Sequence, residues 1–383
     1  MINVTFTFHF FRLYIMHRLY ITIFAIIGLC LAGCGNGKNA GELSSGMEYA
    51  RWLEITPNEG YTTVTVKNPW RQGAVLQTYL LVPHDSDVPT DAEGVVVRTP
   101  LHSVLVYSSV HGGAINELGE LQSITGVCDL QYFDMPEIKQ GVAEGRIVDA
   151  GNSMQPTIEK VVQLHPDAIL LSPFQNSGYG ALTNLDIPII ECADYMENTP
   201  LGRAEWIKLL GELYGKRAEA DSIFARVVKD YNALKAAVDT INDRPKVISE
   251  TVTSGVWYMP GGDSYMAHLY ADAGACYPWS DNGGTGSLSL SFEQVYAKAN
   301  DADIWLIKSL NAMNYSEFAA IYPLNDEFKA FKEKNVYQCP TLGTTLYRDF
   351  PFHPEVLLGE YIRIFHPGTL PGNPKYFSRM TDE

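Results

Sequence analysis

Basic residues are scarce in this chain and do not cluster. Its 383 residues contain 28 lysines and arginines against 44 aspartates and glutamates, which gives a formal net charge of −16. Proteins that bind nucleic acid neutralise phosphates with clustered Lys and Arg side chains. The charge balance therefore argues against a nucleic-acid partner.

Motifs of common enzyme classes are also missing. The sequence contains no G-x-S-x-G, no HExxH, no Walker loop and no G-x-G-x-x-G after a strand. His111-Gly112-Gly113 follows a predicted strand, where such a tripeptide can begin an esterase oxyanion hole. The only related serine segment, GGDSYM at 261–266, lacks the last glycine of a nucleophile elbow. An esterase-like hydrolase is therefore the weakest alternative, and we predict no enzymatic activity and no cofactor.

Cysteine pairs with metal-ligand spacing are absent as well. None of the six cysteines belongs to a C-x-x-C motif, which argues against a zinc site, and no metal site is predicted. Beyond the N-terminal segment four cysteines remain, and an exported protein could hold them as disulfides or as buried free thiols. Both states stay open for Cys128, Cys192, Cys276 and Cys339.

The beginning of the chain is typical of an export signal. Arg18 precedes the run LYITIFAIIGLCLAG, which is shorter than a membrane span and ends in small residues. The tetrapeptide LAGC, ending at Cys34, resembles the bacterial lipobox, whose cysteine is acylated and becomes the mature N-terminus. We predict a signal peptide over 1–33, with Met16 as a candidate true start, lipidation at Cys34 and a flexible tether over 34–45. An uncleaved anchor helix is the alternative.

The chain is longer than a single core usually supports, so more than one domain is expected. Residues 46–94 form a predicted β appendage, in which YTTVTVKN and AVLQTYLLVP flank NPWRQG as a hairpin. From Val95 onwards short apolar runs alternate with helical stretches. This alternation predicts parallel strands joined by right-handed crossovers.

One long amphipathic helix divides this α/β region. In KRAEADSIFARVVKDYNALKAAVDT the apolar residues recur every three or four positions, and about 24 residues would span about 36 Å. The predicted fold class is α/β, with two three-layer lobes of mostly parallel sheets joined by a single long rigid helix, plus the β-hairpin appendage. The lobes cover 95–214 and 244–383, and the helix covers 215–243.

Two similar helix-to-strand units occur, one in each lobe. QPTIEKVVQLHPDAILLSPF, at 155–174, is followed 134 residues later by LSLSFEQVYAKANDADIWLIKSL. Each carries a glutamate near the start of its helix, Glu159 in the first and Glu293 in the second. A carboxylate in a first turn stabilises the helix dipole by about 0.3 to 1 kcal/mol without any partner. Either glutamate alone therefore indicates no more than helix stabilisation.

The loops that follow the predicted strands are rich in aromatic, glycine and small polar residues. Ligands of open parallel sheets bind at the carboxyl ends of the strands, and aromatic faces with a few polar groups suit a large, flat or bulky ligand. The predicted ligand-binding residues are Ser109, His111, Phe174, Trp257, Tyr258, Trp279, Tyr347 and Arg348.

From about Val95 to Pro367 the chain resembles the periplasmic binding proteins for ferric siderophores, haem and cobalamin, whose two lobes are joined by one long helix. Four collinear segments carry the resemblance: SVLVYSSVHGGAINELGELQSITGV, QPTIEKVVQLHPDAILL, ENTPLGRAEWIKLLGELYGK and PFHPEVLLGEYIRIFHPGTL. The second is similar to the family element N-x-E-x-(I/L)-x-x-L-x-P-D, although Thr157 replaces the usual Asn. The hairpin appendage and two extra residues after Glu293 depart from the pattern.

The resemblance implies the substrate-binding component of an ABC importer, which would capture an iron complex (ferric siderophore or haem) or cobalamin between its lobes. It also implies that Glu159 and Glu293 dock against arginines of the two permease subunits. The expected partners are thus the permease dimer, the metal complex and the membrane, through the lipid anchor. A monomer in the periplasm, lipid-anchored to a bacterial membrane, is expected.

The ligand itself stays open. A haem would need an axial ligand, for which His111, Tyr258 and Met259 are candidates. An anionic siderophore would need cations, with Arg348 the best placed, and cobalamin would use mainly aromatic contacts. The competing hypothesis is a surface-exposed capture or adhesion lipoprotein that binds through the appendage. Because no acidic run follows Cys34, periplasmic retention is favoured.

Overall fold

A computed structural model describes residues 47–176 and 178–382. The predicted signal peptide, the lipidation site Cys34 and the tether lie outside these ranges. Within the described ranges no helix is both long and apolar enough to cross a membrane.

A four-stranded sheet precedes the two lobes. Its strands, hydrogen-bonded in chain order, are β1 (Leu53–Pro57), β2 (Thr62–Lys67), β3 (Val75–Pro83) and β4 (Val95–Thr99). β2 and β3 form the predicted antiparallel hairpin, and β1 adds to it in front. Val95–Thr99, predicted to open the first lobe, pairs in parallel with β3 instead, because the long connection at 84–94 returns the chain to the beginning of β3.

The first lobe is built on a five-stranded parallel sheet in the order β11-β10-β5-β6-β7. Its strands and the small hairpin beside it are β5 (Val104–Val106), β6 (Ile124–Val127), β7 (Val148–Asp149), β8 (Gly151–Asn152), β9 (Gln155–Pro156), β10 (Ala168–Leu171) and β11 (Ile189–Glu191). Its helices are α1 (Ser109–Glu117), α2 (Pro136–Ala143), α3 (Ile158–Leu164), α4 (Pro200–Ala204) and α5 (Ile207–Leu213). The central strands are buried on both faces, as in other parallel sheets covered by helices.

The long connecting helix is present as α6 (Arg217–Ala236), shorter at both ends than predicted. Its 20 residues span about 30 Å. Two short helices, α4 and α5, precede it. Thr199 caps α4, because its Oγ1 accepts the Gly202 N–H at 3.1 Å, and Gly215, with a φ of +64°, lies between α5 and α6.

The second lobe contains two sheets. The first has the order β12-β16-β17-β18, parallel except for β18, and the second is the antiparallel sheet β13-β14-β15. The strands are β12 (Val247–Ser249), β13 (Val252–Thr253), β14 (Val256–Pro260), β15 (Ser287–Leu290), β16 (Ile304–Ser309), β17 (Val336–Pro340) and β18 (Ser378–Arg379). The helices are α7 (Tyr265–Asp272), α8 (Phe292–Ala299), α9 (Tyr315–Ile321), α10 (Lys329–Lys332), α11 (Leu346–Asp349) and α12 (Pro354–Phe365).

Both predicted helix-to-strand units form, as α3 before β10 and α8 before β16, but their helix starts differ. Ser291 and Gln294 make a capping box on α8, in which each side chain accepts the backbone N–H of the other residue, at 3.3 Å and 2.8 Å. Thr157, at the start of α3, forms no side-chain cap bond with any described residue. The first turn of α8 is therefore held more firmly than that of α3.

Two buried glutamates hold the beginning of the described chain, and we call the pair the N-terminal clamp. Glu205 accepts the backbone N–H groups of residues 48–50 at 2.7 to 2.9 Å. Glu197 accepts those of residues 51 and 52, and the Trp206 Nε1–H, at 2.9 Å each. Burial raises the pKa of Glu197, although these hydrogen bonds oppose the shift. The clamp ties the appendage to the first lobe.

The four cysteines in the described part of the chain are free thiols. Cys128, Cys192 and Cys339 are buried, and Cys276 is exposed. Of the two states left open by the sequence, the structure has the thiols.

Candidate functional site

A cavity of about 710 Å³ lies between the two lobes, and we call it the interlobe cavity. The first lobe contributes Val110, at the start of α1, and residues 195–197, which follow β11. The second lobe contributes β14, β16 and α11. Its aromatic lining residues are Tyr195, Tyr258, Tyr265, Tyr347, Phe350 and Tyr361. The site lies where the carboxyl ends of parallel strands converge.

The cations that line this cavity are both paired. The Arg203 Nε donates to Asp194 Oδ2 at 3.1 Å, and the Lys308 ammonium donates to Glu250. The Arg203 guanidinium carbon also lies 5.1 Å from the centre of the Tyr265 ring and 5.5 Å from that of Phe350, within reach of a cation–π interaction. The cavity therefore offers aromatic faces and balanced charges rather than a positive surface.

In each ion pair the pKa of one member is shifted in the direction that favours its charged form. Burial opposes ionisation of Asp194, but the hydrogen bond to His111 and the charge of Arg203 outweigh it and lower the pKa of Asp194. Burial likewise opposes the charge on Lys308, yet Glu250 raises the pKa of Lys308 above its usual value. A ligand that enters this cavity thus meets ions that already neutralise each other.

Tyr258 and Tyr347, two predicted ligand contacts, line the interlobe cavity and are 49% and 47% exposed. Trp257 is completely buried and stacks on Trp305, with 5.4 Å between the ring centres. The strand β14 explains the difference, because successive strand residues point to opposite faces. Tyr258 faces the cavity, whereas Trp257 and Met259 face the core. Trp257, a predicted ligand contact, and Met259, a candidate haem ligand, therefore do not line the interlobe cavity.

His111 and Trp279 are also core residues rather than ligand contacts. His111 is only 2% exposed, and its Nε2 lies 3.0 Å from Asp194 Oδ1. It positions the partner of Arg203 and is not accessible as an axial haem ligand. Trp279 is 6% exposed and packs against Tyr277 with 5.7 Å between ring centres. Large aromatics after a strand indicated loop exposure, but here they complete the core.

Ser109 and Phe174 have different positions. Ser109 begins α1, and its neighbours Ser108 and Val110 line cavities while Ser109 does not. Phe174 is 49% exposed and lines a second cavity of about 630 Å³ within the first lobe. Tyr195 lines both cavities, so the two spaces share one wall.

Arg348 is engaged in a contact between the lobes rather than in the interlobe cavity. It donates at 3.0 Å from Nη1 to Asp134 of the first lobe and at 3.0 Å from Nε to Asp349. Helix α1 packs closely here, since a Cβ added at Gly113 would lie 2.5 Å from the Arg348 Cγ. The cation predicted for an anionic siderophore is therefore already neutralised.

His353 forms a second bridge between the lobes. Its Nε2 lies 2.7 Å from Glu117 at the end of α1, and its Nδ1 lies 2.9 Å from Glu355. Burial alone would lower the pKa of His353, but the two carboxylates raise it to about 10. The imidazolium thus donates from both nitrogens and joins the two lobes.

We expect this bridge to make stability depend on pH. Since the pKa of His353 is raised on folding from 6.5 to about 10, its contribution is complete below pH 6.5 and disappears as pH rises towards 10. Urea unfolding of the wild type and of His353→Gln at several pH values measures the effect. The difference in the free energy of unfolding between the wild type and the variant should shrink as pH rises from 6.5 to about 10. A difference that does not change with pH would contradict the raised pKa of His353.

Several lining residues carry little signal in the sequence. Tyr195 follows β11, so the rule of carboxyl strand ends could have found it. Arg203 lies on α4 and Lys308 within β16, and neither position looks different from an ordinary surface cation. Their partners Asp194 and Glu250 are placed by the fold. No group of three or more His, Cys, Asp or Glu side chains within 47–176 and 178–382 is arranged to hold a metal ion.

A fold of two α/β lobes with a ligand-sized cavity between them defines a class of extracytoplasmic binding proteins. Residues 105–341, more than half of the chain, match the family described as "Periplasmic binding protein". The chain belongs to the periplasmic binding protein family.

Three similar proteins illustrate the relationship. An uncharacterized lipoprotein of Methanocaldococcus jannaschii is 32% identical over 278 residues, which cover 68% of this chain and 66% of that protein, slightly less than two thirds of its length. A periplasmic haem-binding protein from Pseudomonas aeruginosa is 16% identical, with a TM-score of 0.55 over 73% of this chain and 98% of that one. An ABC-type Fe³⁺-hydroxamate transport protein from Saccharomonospora viridis is 17% identical, with a TM-score of 0.55 over 79% of this chain and 98% of that one. At these identities the two solved structures show a shared fold.

Proposed function

We propose that this chain is the substrate-binding component of an ABC importer and that it binds a metal complex in the interlobe cavity. The observation that carries the proposal is the 710 Å³ cavity lined by six aromatic side chains between the two lobes of a periplasmic binding protein. Cavities of this volume suit ligands of drug size and above. The related structures that are named for haem and for Fe³⁺-hydroxamate support a metal complex as the cargo.

The charges of the cavity favour a complex with little net charge. Arg203 and Lys308 are paired with Asp194 and Glu250, so a highly anionic siderophore would have to compete with the carboxylates already bound to both cations. Neutral hydroxamate complexes and cobalamin meet no such obstacle. Haem would depend on a tyrosine ligand, because Tyr258 faces the cavity while the other two candidate ligands are buried.

We place the protein outside the cytoplasm, attached to a membrane through a lipid on Cys34 and delivering its cargo to a permease dimer. The lipoprotein name of the relative at 32% identity supports this placement. Because that relative comes from an archaeon, an archaeal membrane fits as well as the bacterial membrane expected from the sequence.

The alternative of an adhesion lipoprotein gains no support from the appendage. The inner face of the four-stranded sheet, with Leu53, Val64 and Val66, is completely buried in the hydrophobic core that continues through both lobes. The sheet therefore completes the first lobe.

Binding measurements test the proposal directly. Haem, cobalamin and ferric siderophores are offered to the purified protein, and retention and thermal shift are recorded. At least one should be retained, and Tyr258→Ala and Tyr347→Ala should each weaken its binding by about tenfold, since each removes an aromatic contact.

Tyr61→Ala provides the matched control, because Tyr61 lies before β2 and lines neither cavity. Its binding should equal that of the wild type. Retention of none of the complexes, with no thermal shift, would reject the transport function.

A further inference from the structure

The second cavity lies wholly within the first lobe, and we call it the inner cavity. Its volume is about 630 Å³, and it lies outside the carboxyl ends of β5 and β10. Besides Tyr195, the lining comes from four segments: residues 107–108, residues 153–156 with Ile158, residues 171–174 and residues 178–182. Tyr195 lines it on the side of the interlobe cavity, because the same residue lines both spaces.

The chemistry of the inner cavity differs from that of the interlobe cavity. None of the described residues that line it carries a charge, whereas Glu197, Arg203, Glu250 and Lys308 line the interlobe cavity. Its apolar carbon comes from Ile158, Leu171, Pro173, Phe174, Ala181 and Leu182. An uncharged ligand group is favoured there, because an ion would lose hydration without a partner.

Three hydroxyl groups around the inner cavity are bonded within the protein, whereas the buried Tyr107 hydroxyl has no hydrogen-bond partner among the described residues. The Ser108 Oγ accepts the Val110 N–H at 3.2 Å, and the Ser153 hydroxyl donates to Asp129. The Tyr179 hydroxyl donates to the buried Glu191. What these side chains leave for a ligand is mainly carbon surface and aromatic ring, which binds apolar groups.

Tyr195 connects the two cavities. Its hydroxyl donates to the Pro173 backbone carbonyl, so the ring is fixed beside the loop that follows β10. At the rim of the inner cavity Phe174 is 49% and Met154 is 68% exposed. Exposed apolar side chains grouped at the mouth of an apolar cavity are typical of a binding surface.

We propose that the inner cavity is a second subsite, which takes an uncharged apolar arm of the same ligand whose metal-binding part occupies the interlobe cavity. This inference rests on the proposed function and narrows it. The ligand class is an amphiphilic metal complex, a chelate that carries an aliphatic or aromatic substituent. The interlobe cavity alone already has the volume of a ligand site, so the inner cavity is additional space that a compact chelate would leave empty.

The test compares two probes that differ only in the arm. One is the ferric complex of a linear trihydroxamate, and the other is the same complex with an octanoyl chain on its terminal amine, used below its micelle concentration. Dissociation constants come from quenching of tryptophan fluorescence. The acylated complex should bind at least about tenfold more tightly, the factor gained by burying a few methylene groups.

The ratio of the two dissociation constants, measured in variants, shows whether the acyl chain binds in the inner cavity. Phe174→Asp and Met154→Asp should reduce the ratio to about one, since both place a carboxylate at an apolar rim. Tyr258→Ala should weaken both complexes and keep the ratio. Val75→Asp is the surface control, because Val75 is 54% exposed on β3 and lines neither cavity.

Equal affinity for the two complexes, or a ratio that survives Phe174→Asp and Met154→Asp, would overturn the subsite and leave the transport function standing. Binding of neither complex would also overturn the ligand class. In that case haem and cobalamin decide the proposed function separately, since retention of either would support it.

Discussion

Reversing Glu159 and Glu293 together to lysine is expected to reduce uptake of the cargo to the level without the protein, while ligand affinity stays unchanged. Both glutamates are exposed in the first turns of α3 and α8, one on each lobe. The Ser291 side chain lowers the pKa of Glu293 by hydrogen bonding, so this carboxylate is ionised. If both carboxylates meet arginines of the permease, each reversal places like charges in contact and disfavours docking.

Uptake of the radiolabelled complex by cells or proteoliposomes that contain the permease measures this effect. The double variant Glu137→Lys with Glu219→Lys is the matched control. Both control glutamates are exposed in helix first turns, of α2 and α6, and the change in net charge is the same. Unchanged uptake in the first variant would reject docking, and equal loss in both would assign the effect to net charge.

The substitution Glu205→Ala should lower the free energy of unfolding by at least about 3 kcal/mol. Glu205 is completely buried. It accepts three backbone N–H groups of residues 48–50 and the Lys208 ammonium at 2.8 Å. Without its carboxylate, these partly buried donors lose their acceptor, and each lost bond leaves a desolvation cost. Urea unfolding followed by circular dichroism gives the change.

Glu219→Ala is the control for this experiment. Glu219 is 54% exposed and lies 3.8 Å from its only ion-pair partner within the described residues, Lys216. Surface substitutions of this kind change stability by about 0.5 kcal/mol or less. A loss below about 1 kcal/mol in Glu205→Ala would show that the N-terminal clamp contributes little to the fold.

The elements with repetitive local signals could be predicted from the sequence. The three- and four-residue spacing in α6 survives in its buried residues Ala220, Ile223 and Val227. The same applies to the β2–β3 hairpin and to both helix-to-strand units. Val95–Thr99 was harder, because partner choice is not local: any apolar strand can pair with β3 or with a lobe sheet, and only the connection decides.

The candidate site could be predicted in part. Loops at carboxyl strand ends do form the cavities, and Phe174, Tyr258 and Tyr347 lie there. Trp257 was predicted to face the ligand because the glycines on both sides of VWYMP indicated a loop. The segment is a strand, in which alternate residues point to opposite faces. Arg348 was misplaced because its partner Asp134 lies 214 positions away, and no spacing rule reaches across two lobes.

The unequal capping of α3 and α8 has a mechanical consequence for any two-point contact. The capping box fixes the first turn of α8, which carries Glu293. Glu159 follows Thr157, which has no cap bond among the described residues. The helix turn that carries Glu293 is therefore rigid, whereas the turn that carries Glu159 is freer to move. A partner that contacts both glutamates would be aligned by α8 of the second lobe. Small mismatches at the other contact would be accommodated by movement at the start of α3 in the first lobe.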